Sequence, residues 1–253
     1  MHEFLTLEGL RIDGRRPNEF RAMTAKIGGV VTGADGSAYL ECGLTKVIAY
    51  VHGPTHGKKR STSSPDKASV VAEYMTATFG TIDRKRKSKG DRTSQERSLW
   101  IQRIFEHAIL TDQFPRSQIE IYVEVLQQDG SPVSTAVNAV TLALIDAGIP
   151  LRDLVVACTV GAIDNKTVLA DLNNAESEKA AGAAQLVMAV YSRTGDLCLC
   201  ECESKLPVAS FELAYGVAQT ACRDAALTLR SFAAEQASRR ISGLLSLSGR
   251  KRG

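Results

Sequence analysis

Long apolar runs are missing from this chain. In its 253 residues no stretch approaches the ~18 consecutive apolar residues that a membrane-spanning helix needs, so no membrane partner is expected. The first residues, MHEFLTLEGLRID, mix acidic and apolar side chains without a basic stretch leading into an apolar one, and no secretion signal is expected. No internal repeat and no Pro- or Gly-rich linker divides the chain. The motifs G-x-x-x-x-G-K-[ST], G-x-G-x-x-G after a strand, H-E-x-x-H and G-x-S-x-G are all lacking. Histidine is scarce, at four, so a Ser-His-Asp or Cys-His mechanism has to draw on His52, His56 or His107. His107 falls beside an apolar helical stripe and reads as structural. His52 and His56 fall in a polar stretch where solvent or polyanion contact is the simpler role.

At 44% hydrophobic and 23% charged residues, the composition is that of an ordinary globular domain. Six cysteines lie mostly in apolar segments, which together with the unsecreted start points to reduced thiols in cytosol or nucleus. Cys198, Cys200 and Cys202 alternate along one strand-like run. Zinc sites use C-x₂₋₄-C pairs, so these read as small buried hydrophobes, and neither a metal nor another cofactor is expected.

The net charge of +3 conceals an uneven distribution. Lys58-Lys59-Arg60, the run Arg84 to Arg92 and Arg250-Lys251-Arg252 hold twelve basic residues and one acid, Asp91, a net of +11. The remaining 19 basic and 27 acidic residues net −8. Solvated loops and a frayed tail account for any one run; two internal runs together point toward a polyanion.

Short β-branched stretches open the chain. Ala38–Cys42 and Thr45–Val51 around Gly43-Leu44 predict a hairpin, and Ser69 to Phe79 a further strand closed by Gly80. His52 to Asp66 reads as a long exposed loop, and 84–92 as a second. Thr93-Ser94-Gln95-Glu96 fits a capping box, followed by the stripe Leu99, Ile101, Ile104, Phe105, Ala108 and Ile109. Ser117 to Leu126 alternates as a strand. Ser131-Pro132 opens a helix that Gly148 and Pro150 stop. Strand patterns recur at 154–163, 168–172, 186–191 and 197–203, and Pro207 opens a long helix to about Ile241. Strands and helices interleave without strict βαβ alternation, which predicts one α+β or mixed α/β unit.

Two junctions suit an anion. The loop ending at Arg92 leads into a helix whose free N–H groups and positive end favour negative charge, and Arg92 can fork onto a phosphate. Asp129-Gly130-Ser131 is a second turn into a helix. Asp171, at a strand end, reads as a turn residue.

Arg11-Ile12-Asp13-Gly14-Arg15-Arg16-Pro17, Gly36-Ser37-Ala38 through Val51-His52-Gly53-Pro54, Val123 through Gly130, and Asp146 through Asp153 together resemble the RNase PH superfamily, collinearly over roughly residues 8–240. Within it the chain resembles ring subunits of the eukaryotic RNA exosome. The resemblance implies an α+β fold of ribosomal protein S5 domain 2-like type, a single RNase PH-like domain over residues 1–245, and a basic flexible tail at 246–253. It implies a six-subunit ring in which this chain pairs with another RNase PH-like subunit, beneath cap subunits. Single-stranded RNA threads the channel toward a separate hydrolytic nuclease, in nucleus (including nucleolus) and cytoplasm.

Active members of the superfamily cleave RNA by phosphorolysis, using two phosphate-clamping arginines and two aspartates that hold a divalent metal or move protons. By resemblance the first arginine is Arg92, while Val133 stands in place of the second. The first aspartate is Asp171, and its partner six residues on is Ser177, flanked by Glu176 and Glu178. Phosphate and phosphodiester sit together only when cations clamp them, so a degenerate site and a non-catalytic chain are expected. An active phosphate-dependent 3′→5′ exoribonuclease, favoured by Arg92 and Asp171, and a stand-alone basic-loop nucleic-acid-binding module are the alternatives. The resemblance further assigns RNA contacts to Arg60, with Lys58 and Lys59 adjoining it, and to Arg92.

Overall fold

The structure, a computed structural model, describes residues 9–56, 66–81, 84, 91–164, 167–179, 184–202 and 204–250. Two sheets enclose two helices. The first sheet contains β1 (Met23–Ile27), β2 (Gly36–Cys42), β3 (Thr45–His56), β4 (Ser69–Thr76) and β5 (Ser117–Gln127) in the order β1-β2-β3-β5-β4. All pairs are antiparallel except β4 with β5. The second sheet holds β6 (Val155–Asp164), β7 (Thr167–Ala170), β8 (Ala184–Tyr191) and β9 (Leu197–Cys202) in the antiparallel order β7-β6-β8-β9. The predicted α+β class holds.

Helix α1 (Arg92–Ala108) crosses from β4 to its parallel neighbour β5 and buries Ile101, Ile104, Phe105 and Ala108 against the first sheet. Helix α2 (Pro132–Ala147) lies between the sheets and is buried at every position from Val133 to Leu144. Two of its polar residues satisfy backbone groups of the second sheet. The Asn138 side chain donates to Ala157 O at 3.0 Å and accepts from Ala157 N–H at 2.8 Å, and Thr141 Oγ1 donates to Val155 O at 2.8 Å. These bonds satisfy backbone groups of β6 on the stretch that the four-residue β7 does not pair. Helix α3 (Asn174–Lys179) is short, and α4 (Val208–Arg250) packs Ala214, Ala218, Ala221 and Cys222 on the outer face of the second sheet.

Several expectations are corrected. Strand β3 runs through His56, so His52 and His56 stand on a strand, and His52 lies edge-on to Tyr50 and Tyr122. The α1 cap is Asp91, not Thr93; Glu96 pairs instead with Arg92, one turn earlier. The reciprocal capping box lies elsewhere, at α3: Asn173 N–H donates to Glu176 Oε2 at 3.0 Å and Glu176 N–H to Asn173 Oδ1 at 2.8 Å. Strand β1 and helix α3 were not predicted. Helix α4 runs on past Ile241, where the pattern stops. Lys58, Lys59, Arg60 and most of the 84–92 run lie outside the described residues.

Candidate functional site

Because β4 and β5 are parallel and α1 connects them, the N-termini of α1 and α2 both lie at the C-terminal end of this pair. Arg92 opens α1 with its side chain 91% exposed, touching Glu96 Oε1 at 3.0 Å. A surface pair of this kind is worth less than about 1 kcal/mol, so it competes weakly with a phosphate for the guanidinium.

Leaving β5, the chain turns through Asp129-Gly130-Ser131 into α2. Gly130 has φ +76°, and a Cβ there would come 2.2 Å from Leu172 O. Only glycine permits this approach. Ser131, also left-handed at φ +49°, donates its hydroxyl to Leu172 O at 3.1 Å. The turn is thereby fixed against the strand end that carries Asp171, itself at φ +51°. Val133 is buried in the first turn of α2.

Asp171 is buried and held by arginines from the N-terminal segment. Arg21 Nε donates to Oδ2 at 2.8 Å, Nη2 to Oδ1 at 2.7 Å, and the Arg21 backbone N–H to Oδ2 at 3.1 Å. The same guanidinium donates to Asp129 O, to Gly130 O at 3.3 Å and to Thr45 Oγ1 at 3.3 Å. Thr45 completes the clasp, donating to Gly130 O at 2.9 Å and accepting from Asp129 N–H at 3.1 Å. Arg15 Nη1 lies 3.8 Å from Asp171 Oδ2. Behind them Arg11, fully buried, donates Nε to Glu176 Oε1 at 2.8 Å and Nη2 to Oε2.

Burial alone pushes the Asp171 carboxyl up, but the hydrogen bonds and charge of Arg21, then of Arg15, outweigh it and hold it below the usual carboxylate value. Burial and the adjacent Asp171 push the Cys42 thiol up to about 12. With both Asp171 oxygens on Arg21 and Glu176 tied to Arg11, these residues do not fit a divalent cation shared between Asp171 and its neighbours. Among the described residues no group of three or more His, Cys, Asp or Glu side chains is placed to hold a metal. Ser177 accepts from Gln185. Cys198 and Cys200 are half-buried and Cys202 exposed, on edge strand β9.

The structure thus joins Asp171 to the Asp129 turn and leaves Arg92 exposed at the same end of the strand pair. Arg11, Arg15 and Arg21 were missed as site residues. The first two lie in the Arg11–Pro17 motif, which is a usable signal; Arg21 stands in no pattern. No described helix is long and apolar enough to cross a membrane.

Comparison with known proteins agrees with this architecture. Residues 19–150 match the model of the 3′ exoribonuclease family, domain 1 (RNase PH). The mouse exosome complex component RRP41 is 50% identical over 205 residues, 81% of this chain and 82% of its own length. The Methanopyrus kandleri exosome complex component Rrp41 is 38% identical over 216 residues, 85% and 88%. Rice Rrp46 superposes with a TM-score of 0.77 at 23% identity, covering 88% of this chain and 100% of that one. An Archaeoglobus fulgidus exosome with RNA bound to the active site gives 0.74 at 20%, covering 86% and 91%.

These matches overturn the expectation of a non-catalytic chain with a degenerate site. The family is one of 3′ exoribonucleases, and the likeness extends to an archaeal exosome component over most of both chains. Val133 and Ser177 were read from the sequence alone, whereas folding brings Arg11, Arg15 and Arg21 from another part of the chain onto Glu176 and Asp171. The chain belongs to the RNase PH family of 3′ exoribonucleases, as an RRP41-like component of the RNA exosome.

Proposed function

We propose that this subunit pairs with another RNase PH-like subunit in a six-membered ring and guides single-stranded RNA through the central channel for 3′→5′ decay and rRNA processing. Cap subunits and a separate hydrolytic nuclease are its further partners, in nucleus and cytoplasm. One observation carries the reading: Arg92, 91% exposed and weakly paired, opens a helix at the same strand ends as the Asp129-Gly130 turn. A guanidinium on a helix N-terminus meets a phosphate with charge, fork geometry and free N–H groups together. Lys58, Lys59 and Arg60 extend the track by sequence. Such contacts follow the backbone and tolerate any base.

The test is binding of a single-stranded oligoadenylate to the assembled complex over a range of salt. Arg92→Gln should weaken binding and lower the slope of log K against log salt by about 1. Acidic replacement of Lys58, Lys59 and Arg60 should slow decay of long-tailed substrates. Unchanged slope and unchanged decay would refute the guiding role.

A second reading, phosphate-dependent 3′→5′ exoribonuclease activity in this chain, is favoured by Arg92 and Asp171 standing where the family's active members use an arginine and an aspartate. It predicts phosphate-dependent release of nucleoside diphosphate from labelled RNA by the chain with its partner subunit. Release that is independent of phosphate would point to another nuclease.

A further inference from the structure

Phe79 has no part in the RNA-guiding role, on which this inference rests. It is 72% exposed, and among the described aromatic residues it alone is exposed to this degree. Its position is fixed rather than loose. Ala77 N–H donates to Val125 O at 2.9 Å, Gly80 N–H to Ala77 O at 2.9 Å, and Gln128 N–H to Gly80 O at 2.8 Å. Gly80 is buried, with Val125 O and Leu126 O each 3.1 Å from where a Cβ would stand. The turn is therefore clamped to the end of β5, one residue short of Asp129, with the phenyl ring left in water. Leu44, 60% exposed, flanks the same end of β5 from the β2–β3 hairpin, whose next residue, Thr45, accepts from Asp129 N–H. Cations follow Phe79 in the chain: Arg84 is exposed, and Arg92 stands at the head of α1.

An exposed ring on an anchored turn, followed in the chain by exposed arginines, suits a ligand that alternates flat apolar faces with negative charges. Single-stranded RNA is such a ligand: each base offers a π-face, each linkage a phosphate, and an anchored backbone spares the ordering of the turn on stacking. We propose that Phe79 is a stacking platform for a base of single-stranded RNA whose backbone phosphate is held by Arg92.

The experiment uses the full chain assembled with its RNase PH-like partner subunits and an oligoadenylate carrying 2-aminopurine. Phe79→Ala and Phe79→Leu should weaken binding about 5- to 30-fold and relieve the quenching of 2-aminopurine, while Phe79→Tyr keeps both near wild type. The slope of log K against log salt should not change in these variants, since no charge is removed. Wild-type binding with unaltered affinity and quenching in Phe79→Ala would overturn the stacking role and leave the RNA-guiding reading standing. Wild type that fails to bind the oligonucleotide would overturn both. Loss of ring assembly on size exclusion in Phe79→Ala would instead identify Phe79 as a protein contact and overturn the proposal.

Discussion

Arg21 meets Asp171 side-on, Nε and Nη2 each facing one carboxylate oxygen at 2.8 and 2.7 Å, with both side chains almost wholly buried. The remaining donors of the same guanidinium reach the carbonyls of Asp129 and Gly130. One side chain thus ties the N-terminal segment, the turn into α2 and the end of β7 together. Such a pair resists disruption more than it adds net stability, because each charge is tolerable in the interior only while the other is present.

Removing either partner should therefore be severe. Arg21→Met or Asp171→Leu is expected to lower the unfolding free energy by about 3–5 kcal/mol, measured by urea denaturation. The double variant should lose less than the two singles combined, and a double-mutant cycle reads that coupling. Additive losses would show that the two residues do not act as a unit.

The pair also sets an acid limit. Asp171 titrates below its ordinary value in the folded chain, so between the two values the unfolded chain binds more protons. Stability from this group is fully present above about pH 4 and is lost as pH falls through the folded value. Thermal midpoints measured from pH 7 down to pH 2 should fall on the acid side. Asp171→Asn should be less stable at pH 7 and show a shallower acid decline.

Gly130→Ala tests the turn. A methyl group there would meet Leu172 O at 2.2 Å in a left-handed backbone, and we expect a loss of at least about 2 kcal/mol. Gly148→Ala, also left-handed at φ +72° but with nothing within 4 Å of its Cβ, serves as the reference, bearing the backbone strain alone. Equal losses at the two positions would remove close approach as the cause.

Thiol reactivity should sort by depth. Cys202 is exposed, whereas Cys42, Cys158 and Cys222 are buried, and burial raises the Cys42 and Cys158 thiols further from ionisation. Iodoacetamide at pH 8 should label Cys202 first and leave those three unmodified until the chain unfolds, as peptide mass spectrometry would show.

The amino-acid order alone determined the elements whose signal is local. Alternation in Ala38–Cys42, Thr45–Val51 and Ser117–Leu126 marks strands because every second residue must leave water. Pro132 and Gly148 bound α2 because one lacks an N–H and the other accepts a left-handed turn. Arg92 was legible for the same reason, as a basic residue at a helix start. Only the tertiary structure decided the rest. Strand β1 is only five residues long, with one of them buried, so its short alternation is a weak signal until pairing with β2 makes it a strand. Hydropathy places arginine and aspartate outside, yet Arg11, Arg21, Asp171 and Glu176 are buried. Their partners lie 150 and 165 residues apart, and no local pattern encodes a charge that becomes tolerable inside only when folding delivers its opposite.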